Sequence, residues 1–240
     1  MTIEEVEQLR YQEINDGLRF PKLKTENRDI NKLFSIQAEN YYIINKNNFL
    51  SKLINKARLR KMGVKISGEG RKNNPCIVEC EFGKGKVFNV NDIFKSRKCP
   101  FKVGACFSNS FNMICEMKNL PKVKDCNCVS GICLTRRDNR NRSILHSVVE
   151  INDMVIDVNL KMVISKDLYY NLFMFEELAR ISGDEAEEML NILKIDEVKQ
   201  ISKQFNLQTY HMVFAFDDMK DFLTNKKRRN GYEAFQELNY

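Results

Sequence analysis

The segment HSVVEINDMVIDVNL, from His146 to Leu160, constrains the fold of this chain more than any other. Two runs with strand alternation flank Asn152-Asp153, a residue pair that favours a tight hairpin turn. With those two residues in the turn, Ile151 pairs with Met154, Val148 with Asp157, and His146 with Asn159. Side chains on a strand alternate faces, so His146, Val148, Asp157 and Asn159 share one face. Asp157 is then the diagonal neighbour of His146, with Cβ atoms less than about 7–8 Å apart, within reach of an imidazole N–H. Asn159, directly opposite, is the alternative orienting group. Leu145, Val149, Ile151, Met154, Ile156 and Val158 form the apolar face that should meet the core. A slip of one residue would bury the histidine and aspartate instead, which fixes the register.

The chain has only two histidines, so any chemistry with imidazole as base uses His146 or His211. His211 sits between Tyr210 and Met212 in an expected apolar strand, Thr209 to Phe216, with no matching acid nearby; it reads as a core or edge residue. Among the eight cysteines, Cys106 is set apart by its position. It follows the small residues Gly104 and Ala105 and opens an expected helix, Ala105 to Met117, whose N-terminus favours a thiolate. Cys76 and Cys80 alternate on a strand, Cys115 lies inside the helix and Cys99 precedes a proline; these read as small buried apolar residues. The plainer alternative makes His146 and Asp157 the solvated face of an ordinary hairpin and Cys106 one more buried thiol.

The run GACFSNS followed by HSVVEINDMVIDVNL resembles the papain-like and transglutaminase-like superfamily, in which a cysteine on a helix precedes histidine and aspartate on neighbouring strands. The likeness covers about residues 98 to 162, and the short Cys-to-His interval is closer to the transglutaminase-like and bacterial amidase branches. It implies an α+β fold, with the nucleophile helix packed on an antiparallel sheet and helical additions at both ends. It also implies Cys106 as nucleophile, His146 as general base and then acid, and Asp157 as orienter. The expected activity is thiol-dependent hydrolysis or acyl transfer at an amide bond, as in a peptidase, amidase, deamidase or transglutaminase-like enzyme, with no metal or organic cofactor. The substrate would be a protein, peptide or other amide. The Cys106 backbone N–H is one oxyanion donor, and Asn89, Asn91 or a residue of the N-terminal helices is a candidate for the second.

The rest of the chain frames this site. Residues 1–62 read as three helices (Ile3 to Gly17, Arg28 to Tyr42, Asn48 to Met62), the third with Phe49, Leu50, Leu53, Ile54 and Ala57 on one face and basic residues on the other. Residues 63–240 read as the catalytic α+β part. It has strands in VKISGEG and PCIVECEF, the latter ending in a Gly83-Lys84-Gly85 turn, and strands over Asp125 to Arg136, Ser143 to Ile151 and Met154 to Leu160. Helices follow around Leu168 to Ile181, Asp184 to Leu193 and Asp196 to Phe205. No secretory signal or bilayer-length apolar run is present, so a cytoplasmic protein with reduced thiols is expected.

Two other classes of function compete. Cys126, Cys128 and Cys133, with Cys99 or His146, could bind zinc in a regulatory protein, although their spacing lacks a paired C-x-x-C. A net charge of +7, the basic face near Arg58 and the run Lys226 to Arg229 could serve a nucleic-acid-binding regulator, but no aromatic-basic stacking pattern accompanies them. In RRDNRNR, Arg136 and Arg137 are expected in a loop at the rim of the cleft, where they would recognise an anionic group on the substrate.

Overall fold

The computed structural model describes residues 1–18, 29–45, 49–90, 105–118, 123, 125–137 and 140–228. Three helices lead: α1 (Ile3–Asn15), α2 (Ile30–Asn45) and α3 (Phe49–Lys61). α1 starts at a reciprocal cap, in which the Thr2 hydroxyl accepts from the Glu5 N–H and the Glu5 carboxylate accepts from the Thr2 N–H. Gly63, at φ 78°, stops α3. The remaining elements are β1 (Lys65–Ser67), β2 (Cys76–Cys80), β3 (Gly83–Asn89), α4 (Cys106–Met117), β4 (Cys126–Arg137), β5 (Arg140–Ile151), β6 (Met154–Asp157), β7 (Met162–Ser165), α5 (Lys166–Leu172), β8 (Glu176–Ser182), α6 (Gly183–Leu193), α7 (Asp196–Gln204), α8 (Thr209–Phe214) and α9 (Phe216–Arg228).

The protein is α+β. Its strands form one antiparallel eight-stranded sheet in the order β1-β2-β3-β7-β6-β5-β4-β8. The hairpin register is the expected one: Ile151 pairs with Met154 and Val149 with Ile156, and Asn152 takes φ 54°, which asparagine tolerates better than most residues. Leu145, Val149, Ile156 and Val158 face a core built with Phe111, Ile114 and Met117 of α4 and with α6 to α9.

The opposite face is not solvated. Val148 and Val155 belong to a second core with Leu33, Phe34 and Ile36 of α2 and with Leu168, Tyr169 and Leu172 of α5. His146 and Asp157 therefore lie inside a layer of helices, which removes the reading of an ordinary wet hairpin face. Among the described residues no helix is long and apolar enough to cross a membrane.

Several local expectations are corrected. Gly83 and Gly85 are within β3, because the chain reverses one step earlier at Glu81-Phe82 and their backbones pair with Cys80 and Val78. The expected Met154–Leu160 strand stops at Asp157. The chain turns there and returns as β7, which the sequence did not announce. The helix expected over Leu168 to Ile181 breaks after Leu172, and Glu176–Ser182 becomes the edge strand β8. Thr209 to Phe216, expected as a strand, is helical from Thr209 to Phe214. On α3 the buried positions are Asn55 and Leu59, whereas Leu50, Leu53 and Ile54 are exposed, so the apolar face points outward. Arg136 and Arg137 end β4 and Arg140 to Arg142 begin β5, with Arg136 paired to Asn141 and Arg137 to Arg140. Arg229, the side chains of Lys226 to Arg228, and the loop expected at Phe101 to Gly104 lie outside the described residues.

Gly131 allows the close approach of β8 to β4. It pairs with His146 on β5, and a Cβ there would fall 1.9 Å from the carbonyl oxygen of Glu176, at the register shift between β4 and β8. Backbone atoms cannot yield cheaply, so Gly131→Ala is expected to lower stability by about 1–3 kcal/mol in urea unfolding.

Candidate active site

β5 is twelve residues long and β6 only four, and their ladder covers Val149 to Ile151. Before Val149 the β5 edge needs other partners for its backbone groups. α4 and α1 supply them. The Ser110 hydroxyl donates to the Ser147 carbonyl at 2.9 Å, and the Leu145 N–H donates to Glu13 Oε1 at 3.0 Å. Helix α4 is thereby docked against the strand that carries His146, in the space the short β6 leaves open.

His146 Nε2–H donates to Asp157 Oδ2 at 2.8 Å. Asp157 is 0% exposed and carries two further donors: the Tyr169 hydroxyl, 2.9 Å from Oδ2, and the Leu160 N–H, 2.9 Å from Oδ1. An ionised carboxylate only accepts, so the proton between the pair sits on Nε2. The Cys106 side chain lies near enough to the imidazole to help raise its pKa. With Nε2 engaged by Asp157, Nδ1 is the ring nitrogen left for another partner. Side chains of α4, β5 and β6 thus come together at one place. Cys106 is 8% exposed and His146 6%, so neither is sealed completely.

The electrostatics follow from this packing. Burial alone would lower the His146 pKa, but the Asp157 charge, the hydrogen bond with Asp157 and the nearby Cys106 side chain outweigh it and hold the imidazole well above its usual range. Burial alone would raise Asp157; the facing His146 cation and the donors from Leu160 and Tyr169 instead hold it below the usual carboxylate range. Burial pushes the Cys76 and Cys115 thiols up to about 11, and those of Cys126, Cys128 and Cys133 up to about 12, which keeps these five protonated and unreactive near neutral pH.

The other expected site residues are placed as follows. Asn159 falls in the turn after β6, where its Oδ1 accepts from Asn109 Nδ2 at 3.2 Å, so it ties that turn to α4 and Asp157 is the partner of the imidazole. Asn89 ends β3 opposite Met162, which in turn pairs with Asp157, two strands away. Asn91, Cys99 and Gly104 lie outside the described residues. Arg136 and Arg137 are five and six positions along β4 from Gly131, the partner of His146, which is roughly 17–20 Å at the rise of a strand. Cys126 and Cys128 face the α4 core and Cys133 the opposite one; among the described residues no three His, Cys, Asp or Glu side chains are grouped to hold a metal ion. His211 is helical and does have an acid: its Nε2–H donates to Glu7 Oε1 at 2.5 Å, joining α8 to α1. That partner lies 204 residues away in sequence, beyond the reach of a local reading.

Tyr169 and Asn109 are members of the site that the sequence did not suggest. Asn109 lies one turn after Cys106, a spacing that could have been noticed. Tyr169 lies in KDLYYNL, a run with no recognisable site motif.

No family model matches this chain, and neither do any curated protein or solved structure.

Proposed function

We propose that this protein is a cysteine-nucleophile hydrolase or acyltransferase acting on an amide bond, with a core of the papain-like and transglutaminase-like kind. The observation that carries this reading is the buried 2.8 Å His146–Asp157 hydrogen bond, on an imidazole that the Cys106 side chain lies near. Geometry of this kind transfers a proton and releases a nucleophile.

In this mechanism His146 takes the thiol proton and the resulting imidazolium is held by Asp157. The Cys106 thiolate attacks the substrate carbonyl carbon, a C–S bond forms, and negative charge collects on the carbonyl oxygen. The Cys106 N–H, in the first turn of α4 and so without an intrahelical acceptor, donates to that oxygen. When the tetrahedral species collapses, the C–N bond breaks and His146 gives its proton to the departing amine. Water or an acceptor amine then attacks the thioester, losing a proton to His146 as the thiolate leaves. An anionic group on the substrate would meet Arg136 and Arg137 only if the substrate extended to the end of β4.

p-Nitrophenyl acetate is a suitable minimal acyl donor. The expected result is a burst of nitrophenol equal to the protein present, with the acetyl group found on Cys106 by peptide mass spectrometry and no burst in Cys106→Ser at the same pH. Acetyl groups spread over lysines, with no dependence on Cys106, would refute the reading.

A further inference from the structure

We propose that Tyr169 is a positioning residue of this site, its hydroxyl fixing the Asp157 oxygen that receives the His146 Nε2–H. The proposal rests on the cysteine-nucleophile reading above and adds a fourth side chain to it.

Tyr169 is 0% exposed. Its ring stacks on Phe173 at 4.6 Å, with Phe175 at 5.8 Å and Tyr170 at 6.5 Å, so the ring has one place to sit and the hydroxyl one direction to aim. That direction is Asp157 Oδ2, 2.9 Å away, the same oxygen that accepts from His146. Leu160 N–H holds the other oxygen. A carboxylate pinned on both oxygens and fully buried cannot rotate about its Cβ–Cγ bond without giving up at least two hydrogen bonds. The imidazole that donates to Oδ2 is held along with the carboxylate, so its other nitrogen keeps one direction. A tyrosine hydroxyl suits this position because burial and the facing carboxylate keep it protonated, hence a donor at every working pH.

Removing the hydroxyl should have two consequences. The carboxylate gains freedom to rotate, which misaligns the imidazole, and it binds a proton more readily, because a donor that favoured its charged form is gone. The acid limb of Cys106 reactivity therefore moves to higher pH. The titratable groups around the carboxylate are His146 on β5, Cys133 on β4, Cys106 on α4 and Tyr169 itself on α5. The adjacent Tyr170 provides a control. Its hydroxyl donates to the buried Glu150 and to Glu177, so Tyr170→Phe removes a comparable hydroxyl that bonds neither Asp157 nor His146, while keeping the ring that packs on Tyr169.

The experiment is the rate of Cys106 carboxamidomethylation by iodoacetamide, followed by peptide mass spectrometry across pH, in the unmodified protein, Tyr169→Phe and Tyr170→Phe. Tyr169→Phe is expected to slow Cys106 by about 10- to 100-fold at neutral pH and to move the acid limb upward, the size of effect that outer partners of a site commonly have. Tyr170→Phe should change neither. Equal rates and an unmoved limb in Tyr169→Phe would overturn the positioning role while leaving a fast, His146-dependent Cys106 intact; a Cys106 that is slow in the unmodified protein would instead overturn the reading beneath it. Should Tyr169→Phe not fold, site-specific fluorotyrosine at position 169, a stronger donor of nearly equal size, should move the limb downward, and no movement would overturn the role.

Discussion

Asp157→Ala is expected to lower folding stability by about 3–5 kcal/mol, the usual cost of removing one partner of a buried ion pair. Three donors lose their acceptor together: the His146 Nε2–H, the Tyr169 hydroxyl at 0% exposure, and the Leu160 N–H that closes the turn into β7. Asp157→Asn should cost less, since its amide oxygen can still accept from one or two of them. Urea unfolding of both variants provides the comparison, and the pH dependence gives a second readout. The His146 pKa is raised in the folded state, so its contribution is fully present below about 6.5 and is lost as pH rises through the raised folded value. The Asp157 pKa is lowered, so its contribution is present above about 3.8 and is lost as pH falls through the folded value. Stability of the unmodified protein should fall on both sides of that window, and Asp157→Ala should flatten both flanks.

His146→Ala is expected to reduce acyl transfer from Cys106 by about 10²–10⁴-fold, the range attributable to a positioned general acid–base group. The loss has two origins. Nothing removes the thiol proton before attack, and nothing protonates the departing amine when the C–N bond breaks. Imidazole added to the solution should restore part of the rate with an activated ester, which needs little help at its leaving group, and less of it with an amide. Equal rescue of both would mean that His146 acts only in forming the thiolate. Because His146 is buried, the variant must be checked for a retained cooperative unfolding transition before its kinetics are read.

The hairpin was legible in the sequence because its determinants are local. Asn152-Asp153 sets the turn, and alternation then places His146 and Asp157 on one face with no long-range information. The helix beginning at Cys106 was legible for the same reason. The second apolar layer was not. His146 and Asp157 look like a polar face until α2 and α5 cover it, and nothing in LFSI or LYYNL says which sheet face those helices will meet. The short strands β7 and β8 were missed because four to seven residues flanked by helix formers take their conformation from neighbouring strands. α8 reads as a strand by its apolar run, but capping by Gln208, whose own N–H donates to the His211 ring, and packing of Phe107 on Tyr210 and Phe214 favour a helix. α3 misled in the other direction, since its apolar stripe is regular and yet Leu50, Leu53 and Ile54 face outward. Tyr169 and Asn109 reach the site through tertiary packing, and only coordinates disclose them.

The most direct test is competitive alkylation of the folded protein with limiting iodoacetamide, with each cysteine quantified by peptide mass spectrometry from acid to alkaline pH. An activated Cys106 labels ahead of Cys76, Cys115, Cys126, Cys128 and Cys133 at neutral pH, and this lead disappears in His146→Ala. Labelling of Cys106 no faster than those buried thiols, or a lead that survives the loss of His146, would contradict the assignment of a cysteine nucleophile.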